Sequence, residues 1–190
     1  MQNKHFFIIK KGLFVGSFNP ITLAHESIAS ELLKEKILDY IYFLPVNSKK
    51  QDLISIDKRI DMINIITKEN QSVLNIYNYS KEGLFNIEIL QKIKLGITHI
   101  IMGSDLFLKF NKFKNYQEIL TNYYLIIINR GTDINEYIKK NYQDYQDKII
   151  IIDKTYIGSS KLAKDNLKES YNKYLNDKVL DYIKRNNLYN

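Results

Sequence analysis

The chain contains no cysteine. That absence excludes disulfides, thiolate metal sites and a thiol nucleophile, so the fold has to rest on its core alone. Its three histidines, His5, His25 and His99, are too dispersed for a zinc cage, and no protein-bound metal is expected. Two prolines and seven glycines in 190 residues leave most turns to Asn and Asp. No apolar run approaches the roughly 20 residues of a membrane span. The start, Met1-Gln2-Asn3-Lys4-His5, leads into a short apolar stretch without a small-residue cleavage site, so no signal peptide is expected and a cytoplasmic location is. No Pro/Gly-rich linker or internal repeat interrupts the sequence. One domain over residues 1–190 is expected, long enough to bury a substantial core. The net charge of +7 is carried by scattered lysines. It argues against a nucleic-acid partner and for a weak attraction of small anions.

What the sequence does contain is alternation. Apolar strand candidates fall at Leu13–Val15, Tyr40–Leu44, Val73–Tyr77, His99–Met102, Tyr124–Ile128 and Lys148–Ile152. Helical spacing appears between them, as at Ile60, Ile63 and Ile66, and at Ile87, Leu90 and Ile93. Ser55 is placed to cap the first of these helices and Asn86 the second, with Gly96 positioned to end the second. Strands alternating with helices predict an α/β fold, a doubly wound parallel sheet covered on both faces. After Ile152 the sequence turns polar and helical, and residues 153–190 are expected to form two helices packed across the end of the sheet.

The densest signal is Gly16-Ser17-Phe18-Asn19-Pro20-Ile21-Thr22-Leu23-Ala24-His25. It follows the strand Leu13–Val15 and precedes the helical pattern Ile28, Ala29, Leu32, Leu33. A helix start carries unpaired N–H groups and a partial positive charge, which suits a phosphate. Thr22 and His25, one turn apart, can address the same anion. Taken alone, the window also fits an ordinary strand-turn-helix with a buried histidine. A second cluster, His99-Ile100-Ile101-Met102-Gly103-Ser104-Asp105, ends a strand at Gly103. A carboxylate there can accept hydrogen bonds from ribose hydroxyls, or simply cap a helix. His99 reads as structural. Lys49, in the loop after the second strand, can present an ammonium to phosphates or stand in solvent.

These residues resemble the nucleotidyltransferase superfamily. Its first signature, G-x-F-D-P-x-[HT]-x-G-H, is matched by Gly16, Phe18, Pro20, Thr22 and His25, with Asn19 in place of Asp and Ala24 in place of Gly. Gly103-Ser104-Asp105 is similar to its G-[AS]-D motif, and Phe113 stands where a Trp is usual. Ile157-Gly158-Ser159-Ser160-Lys161-Leu162-Ala163-Lys164 resembles I-S-[SA]-[ST]-x-I-[RK]. The register chosen places Ser159 and Ser160 at the small residues and Lys164 at the terminal base, leaving Lys161 at a hydroxyl position. Ser55…Arg59…Met62 fits S-x-x-x-R-x-x-M, with Arg59 expected as a ligand or as the partner of a carboxylate. The ending Val179…Tyr182-Ile183…Leu188-Tyr189 fits V-x-x-Y-I-x-x-x-x-L-Y.

The resemblance is greatest to the nicotinate-nucleotide adenylyltransferases. It implies a Rossmann-like fold with a C-terminal helical segment. It also implies ATP and nicotinate mononucleotide as partners, and Mg²⁺ held through the ATP phosphates. His25 and Thr22 become the catalytic pair. Gly16, Ser17, Phe18, Gly103, Asp105, Ser159 and Lys164 join them around ATP, with Phe113 and Lys49 at the mononucleotide. Phosphopantetheine adenylyltransferases, cytidylyltransferases and a non-catalytic nucleotide sensor or nucleic-acid-binding domain stay open as alternatives, and a homo-oligomer is compatible with all of them.

Overall fold

The computed structural model describes residues 8–47, 53–68, 72–75, 87–131, 133–154, 156–169 and 172–189. Six parallel strands form one sheet: β1 Lys11–Gly16, β2 Tyr40–Pro45, β3 Val73–Asn75, β4 His99–Gly103, β5 Tyr124–Ile128 and β6 Ile149–Ile152. Their order is β3-β2-β1-β4-β5-β6, that of a doubly wound nucleotide-binding sheet. Each strand falls where the apolar run predicts it, within a residue or two. Lys148 precedes β6 rather than opening it, and Ile76 and Tyr77 lie outside the described residues, as does Asn86.

Successive strand residues point to opposite faces, so each strand feeds two cores. Leu13, Val15, Tyr42, Leu44, Ile100, Met102, Leu125 and Ile127 line one. Phe14, Ile41, Phe43, Ile101, Ile126 and Ile128 line the other. Over the first core lie the helices α3 Ile87–Lys92, α4 Ser104–Phe107, α5 Tyr116–Asn122 and α6 Ile134–Asn141. Helices α1 Leu23–Lys34, α2 Ile56–Thr67, α7 Ser160–Asp165 and α8 Asp177–Arg185 cover the second. Burying one large apolar side chain contributes about 1.5–3 kcal/mol, and the central strands are apolar on both faces for that reason.

Two local expectations are corrected. Helix α3 stops at Lys92, and Gly96, at φ +67°, sits in the following loop instead of ending the helix. The two tail helices do not both lie across the sheet end. Helix α7 begins there, its Ser160 hydroxyl donating to Pro20 O at 2.7 Å, but α8 packs on the sheet face beside α1 and α2 through Val179, Leu180 and Ile183. A fully buried Asn172 joins α7 to the segment that precedes α8, donating to Ala163 O at 2.7 Å and accepting from the Tyr174 N–H. Tyr174 O in turn accepts the Leu23 N–H at 2.9 Å, tying the tail to the start of α1.

Candidate functional site

The strand order reverses direction between β1 and β4, and the carboxyl edge at such a reversal is where open α/β sheets bind ligands. Here that edge is built from Gly16, paired with Pro45, and Gly103, paired with Ile128. Both sequence clusters therefore open onto one place. Gly16 is required by close approach: a Cβ would lie 2.9 Å from the Phe18 ring. That ring is turned inward, meeting Phe14 and Phe43 edge-on with centroids 5.5 and 5.2 Å away. What Phe18 can offer a ligand is its backbone, held at φ 44°; its side chain is a wall.

His25 occupies the third position of α1, after Thr22 as N-cap. In many helices a Glu or Gln at this position reaches back to the cap N–H; here an imidazole does so. Nδ1 accepts the Thr22 backbone N–H at 3.1 Å and lies 2.8 Å from the Thr22 hydroxyl. A nitrogen that accepts an N–H carries no proton, so in the neutral ring the proton sits on Nε2. The Phe14 and Phe18 rings pack on the imidazole at 5.8 and 5.2 Å, leaving it 9% exposed. Thr22 is fully enclosed, and its hydroxyl serves the histidine.

Burial, reinforced by the Arg130 cation, pushes the His25 pKa from 6.5 down to about 3. The ring is thus a neutral Nε2–H donor across the physiological range. Between pH 6.5 and about 3 the unfolded chain binds a proton that the native ring refuses, so stability falls as pH drops through that window. Thermal melts from pH 7.5 to 4.5 should show a steeper loss for the unaltered protein than for His25→Gln, which keeps the reach to the cap without titrating. Parallel pH slopes would contradict the buried, neutral ring.

Arg130 is a candidate site residue that the sequence reading missed. It lies two positions beyond β5, with its guanidinium 3.8 Å from Asp105 and 3.8 Å from where a Gly103 Cβ would stand. Its N–H donates to the Ser104 hydroxyl at 3.3 Å. The available signal was positional, a lone cation just past the carboxyl end of a central strand. Asp105 stands in the first turn of α4, whose cap is Gly103, and its side chain is 76% exposed, free to face a ligand.

Arg59 is fully buried, and no carboxylate is among the hydrogen-bond partners seen for it. Its guanidinium donates to Ser17 O at 2.7 Å, Val46 O at 2.9 Å, Ile54 O at 3.2 Å and Asn47 Oδ1 at 2.7 Å. Burial pulls its pKa below the ordinary guanidinium value. The expected carboxylate partnership is replaced by a clamp that joins the signature loop to the loop after β2.

Of the remaining residues, Ser159 caps α7, accepting the Leu162 N–H at 3.2 Å. Lys164 is half-buried with Nζ 5.8 Å above the Tyr189 ring, whereas Lys161 is exposed. Phe113 is half-buried, edge-on to Phe110 at 5.5 Å. Lys49 lies outside the described residues. His99 opens β4 and stacks on Tyr124 at 5.1 Å, a structural position.

A doubly wound sheet with a helix-start histidine, a strand-end arginine and a strand-end carboxylate at its switch point defines an α/β nucleotide-binding domain of the nucleotidyltransferase kind. The chain belongs to the cytidylyltransferase-like family, whose pattern matches residues 13–173. Similar curated proteins include two named "Probable nicotinate-nucleotide adenylyltransferase". The one from Carboxydothermus hydrogenoformans is 29% identical over 95% of this chain and 98% of its own length. The one from Clostridium perfringens strain 13 is 30% identical over the same shares. Among solved structures, the fold is shared with Plasmodium falciparum nicotinic acid mononucleotide adenylyltransferase. That match has a TM-score of 0.77 at 24% identity and covers 96% of this chain and 98% of that one.

Proposed function

We infer that this protein is an adenylyltransferase of NAD biosynthesis, moving AMP from ATP to nicotinate mononucleotide to give deamido-NAD and pyrophosphate. The observation that carries the reaction type is His25, a neutral Nε2–H donor locked by Thr22 at a helix start beside Arg130. The acceptor is supported by the names of relatives aligned along nearly the whole chain.

In this reading an oxygen of the mononucleotide phosphate attacks the α-phosphorus of ATP. A new P–O bond forms while the bond to the β-phosphate bridge breaks, and pyrophosphate leaves with that electron pair. The protein's work is placement and charge stabilisation. His25 donates its Nε2–H to the phosphoryl oxygens, Arg130 adds fixed positive charge, and Thr22 acts through His25. Backbone N–H groups at Gly16–Phe18 line the turn. Gly103 leaves room for adenosine and Asp105 accepts from ribose. Ser159 and Lys164 take the outer phosphates. Phe113 offers a ring for the pyridine, with Lys49 near the mononucleotide phosphate. Among the described residues no group of three or more His, Asp and Glu converges to hold a metal. Mg²⁺ enters this reading as an ion carried by the nucleotide, where it would neutralise phosphate charge.

The test is pyrophosphate release from ATP with three acceptors in parallel: nicotinate mononucleotide, nicotinamide mononucleotide and phosphopantetheine. Turnover should be greatest with the first. Release only with phosphopantetheine would move the chain to another branch of the superfamily, and release with none would leave a nucleotide sensor.

A further inference from the structure

The last described turn of the chain reaches the signature loop. Tyr189 follows α8 at φ 67°, and its hydroxyl donates to Asn19 Oδ1 at 2.9 Å. Asn19 is buried inside the first signature, and the same oxygen accepts the Ile54 N–H at 3.3 Å. Ile54 O is one of the four acceptors that hold Arg59. From the other side, Lys164 Nζ stands 5.8 Å over the Tyr189 ring. Tyr189 thus touches two of the sequence clusters, Gly16–His25 through Asn19 and Ile157–Lys164 through Lys164, and is linked to the third, Ser55–Met62, through Asn19 and Ile54.

Resting on the adenylyltransferase reading, we propose that Tyr189 is a positioning residue for the ATP triphosphate, setting Lys164 against the signature loop through its ring and its hydroxyl. A lysine on four flexible carbons loses rotamer freedom when it is fixed. An aromatic face beneath the ammonium offsets part of that cost by a cation–π attraction. The hydroxyl fixes the ring, because the Asn19 oxygen that accepts it is itself held by the Ile54 N–H. An Asp at this position would present an accepting oxygen as Asn19 does, so the contact is compatible with either residue. Tyr189 does not touch the reacting atoms in this scheme; it prepares the place where the outer phosphates are received.

Steady-state kinetics and calorimetric titration with a non-hydrolysable ATP analogue test this on the full chain. Tyr189→Ala should raise the Michaelis constant for ATP about three- to tenfold, the range of a partly exposed cation–π contact converted at 1.4 kcal/mol per decade. The turnover number and the mononucleotide Michaelis constant should stay within about twofold. Tyr189→Phe, keeping the ring but not the hydroxyl, should fall between. In a Lys164→Ala background Tyr189→Ala should add no further loss. If Tyr189→Ala fails to fold, Tyr189→Leu and Tyr189→Phe carry the same comparison. Unchanged ATP affinity in the folded variants overturns the proposal, and so does an equal loss with and without Lys164. Should the unaltered protein release no pyrophosphate, the adenylyltransferase reading fails on its own, and analogue affinity alone decides the role of Tyr189.

Discussion

His25→Ala should lower the turnover number by about two to three orders of magnitude, the usual cost of removing one donor aimed at charge that develops in the transition state. Ground-state ATP affinity should fall much less, because an interaction that strengthens during reaction shows itself in turnover. The geometry sharpens the expectation. Nδ1 is committed to Thr22 and the proton is on Nε2, so the ring works as a neutral donor and not as an imidazolium. His25→Gln, which offers an N–H on a longer, softer arm, should recover part of the loss. Thr22→Val, which removes the hydroxyl but leaves the backbone N–H bonded to Nδ1, should cost less than His25→Ala. Steady-state kinetics on folded variants decides the matter. Parallel loss of affinity and turnover in His25→Ala would reduce the histidine to an anchor for ground-state ATP.

The second large effect is structural. Arg59→Met should destabilise the fold by about 3–5 kcal/mol, since buried acceptors that lose a charged donor bear their desolvation cost uncompensated. For a chain of this length that corresponds to a fall in melting temperature of roughly 10 °C. Methionine fills the volume, so the loss reads the hydrogen bonds and not a cavity. Arg59→Lys should rescue little: one ammonium cannot span Ser17 O, Val46 O, Ile54 O and Asn47 Oδ1, which the planar guanidinium reaches together. Differential scanning calorimetry of the three proteins checks this. An Arg59→Met protein that melts with the unaltered one would show that water satisfies those acceptors and that the clamp is dispensable.

The parts of the fold legible in the sequence are those set by short-range pattern. Leu13 and Val15 against Phe14 announce a strand buried on both faces, and β4, with Ile100 and Met102 against Ile101, repeats the signal. The chain order of these runs, separated by helical spacing, leads directly to the doubly wound sheet. What was not legible depends on long-range geometry. Arg59 has the look of half an ion pair, but its partners are carbonyls brought in from three loops. Arg130 has no motif of its own and acquires meaning only when β5 is placed beside β4. Gly96 carries the left-handed φ expected after a helix, yet α3 had already ended at Lys92, because nothing in the intervening Ile93-Lys94-Leu95 marks the stop. At the site, the residue types in the first signature were readable. The division of labour between them was not: Phe18 as wall and Thr22 as the group that fixes the tautomer emerge only from packing.

The central claim is that an intact adenylyl group passes to nicotinate mononucleotide by attack at the α-phosphorus, and ATP labelled at that phosphorus tests it most directly. Products separated by chromatography and identified by mass should carry the label in the dinucleotide deamido-NAD, with unlabelled pyrophosphate in equal amount. His25→Ala should leave that distribution unchanged while slowing its appearance. Label recovered in ADP, or in free AMP formed without the mononucleotide, would contradict the account.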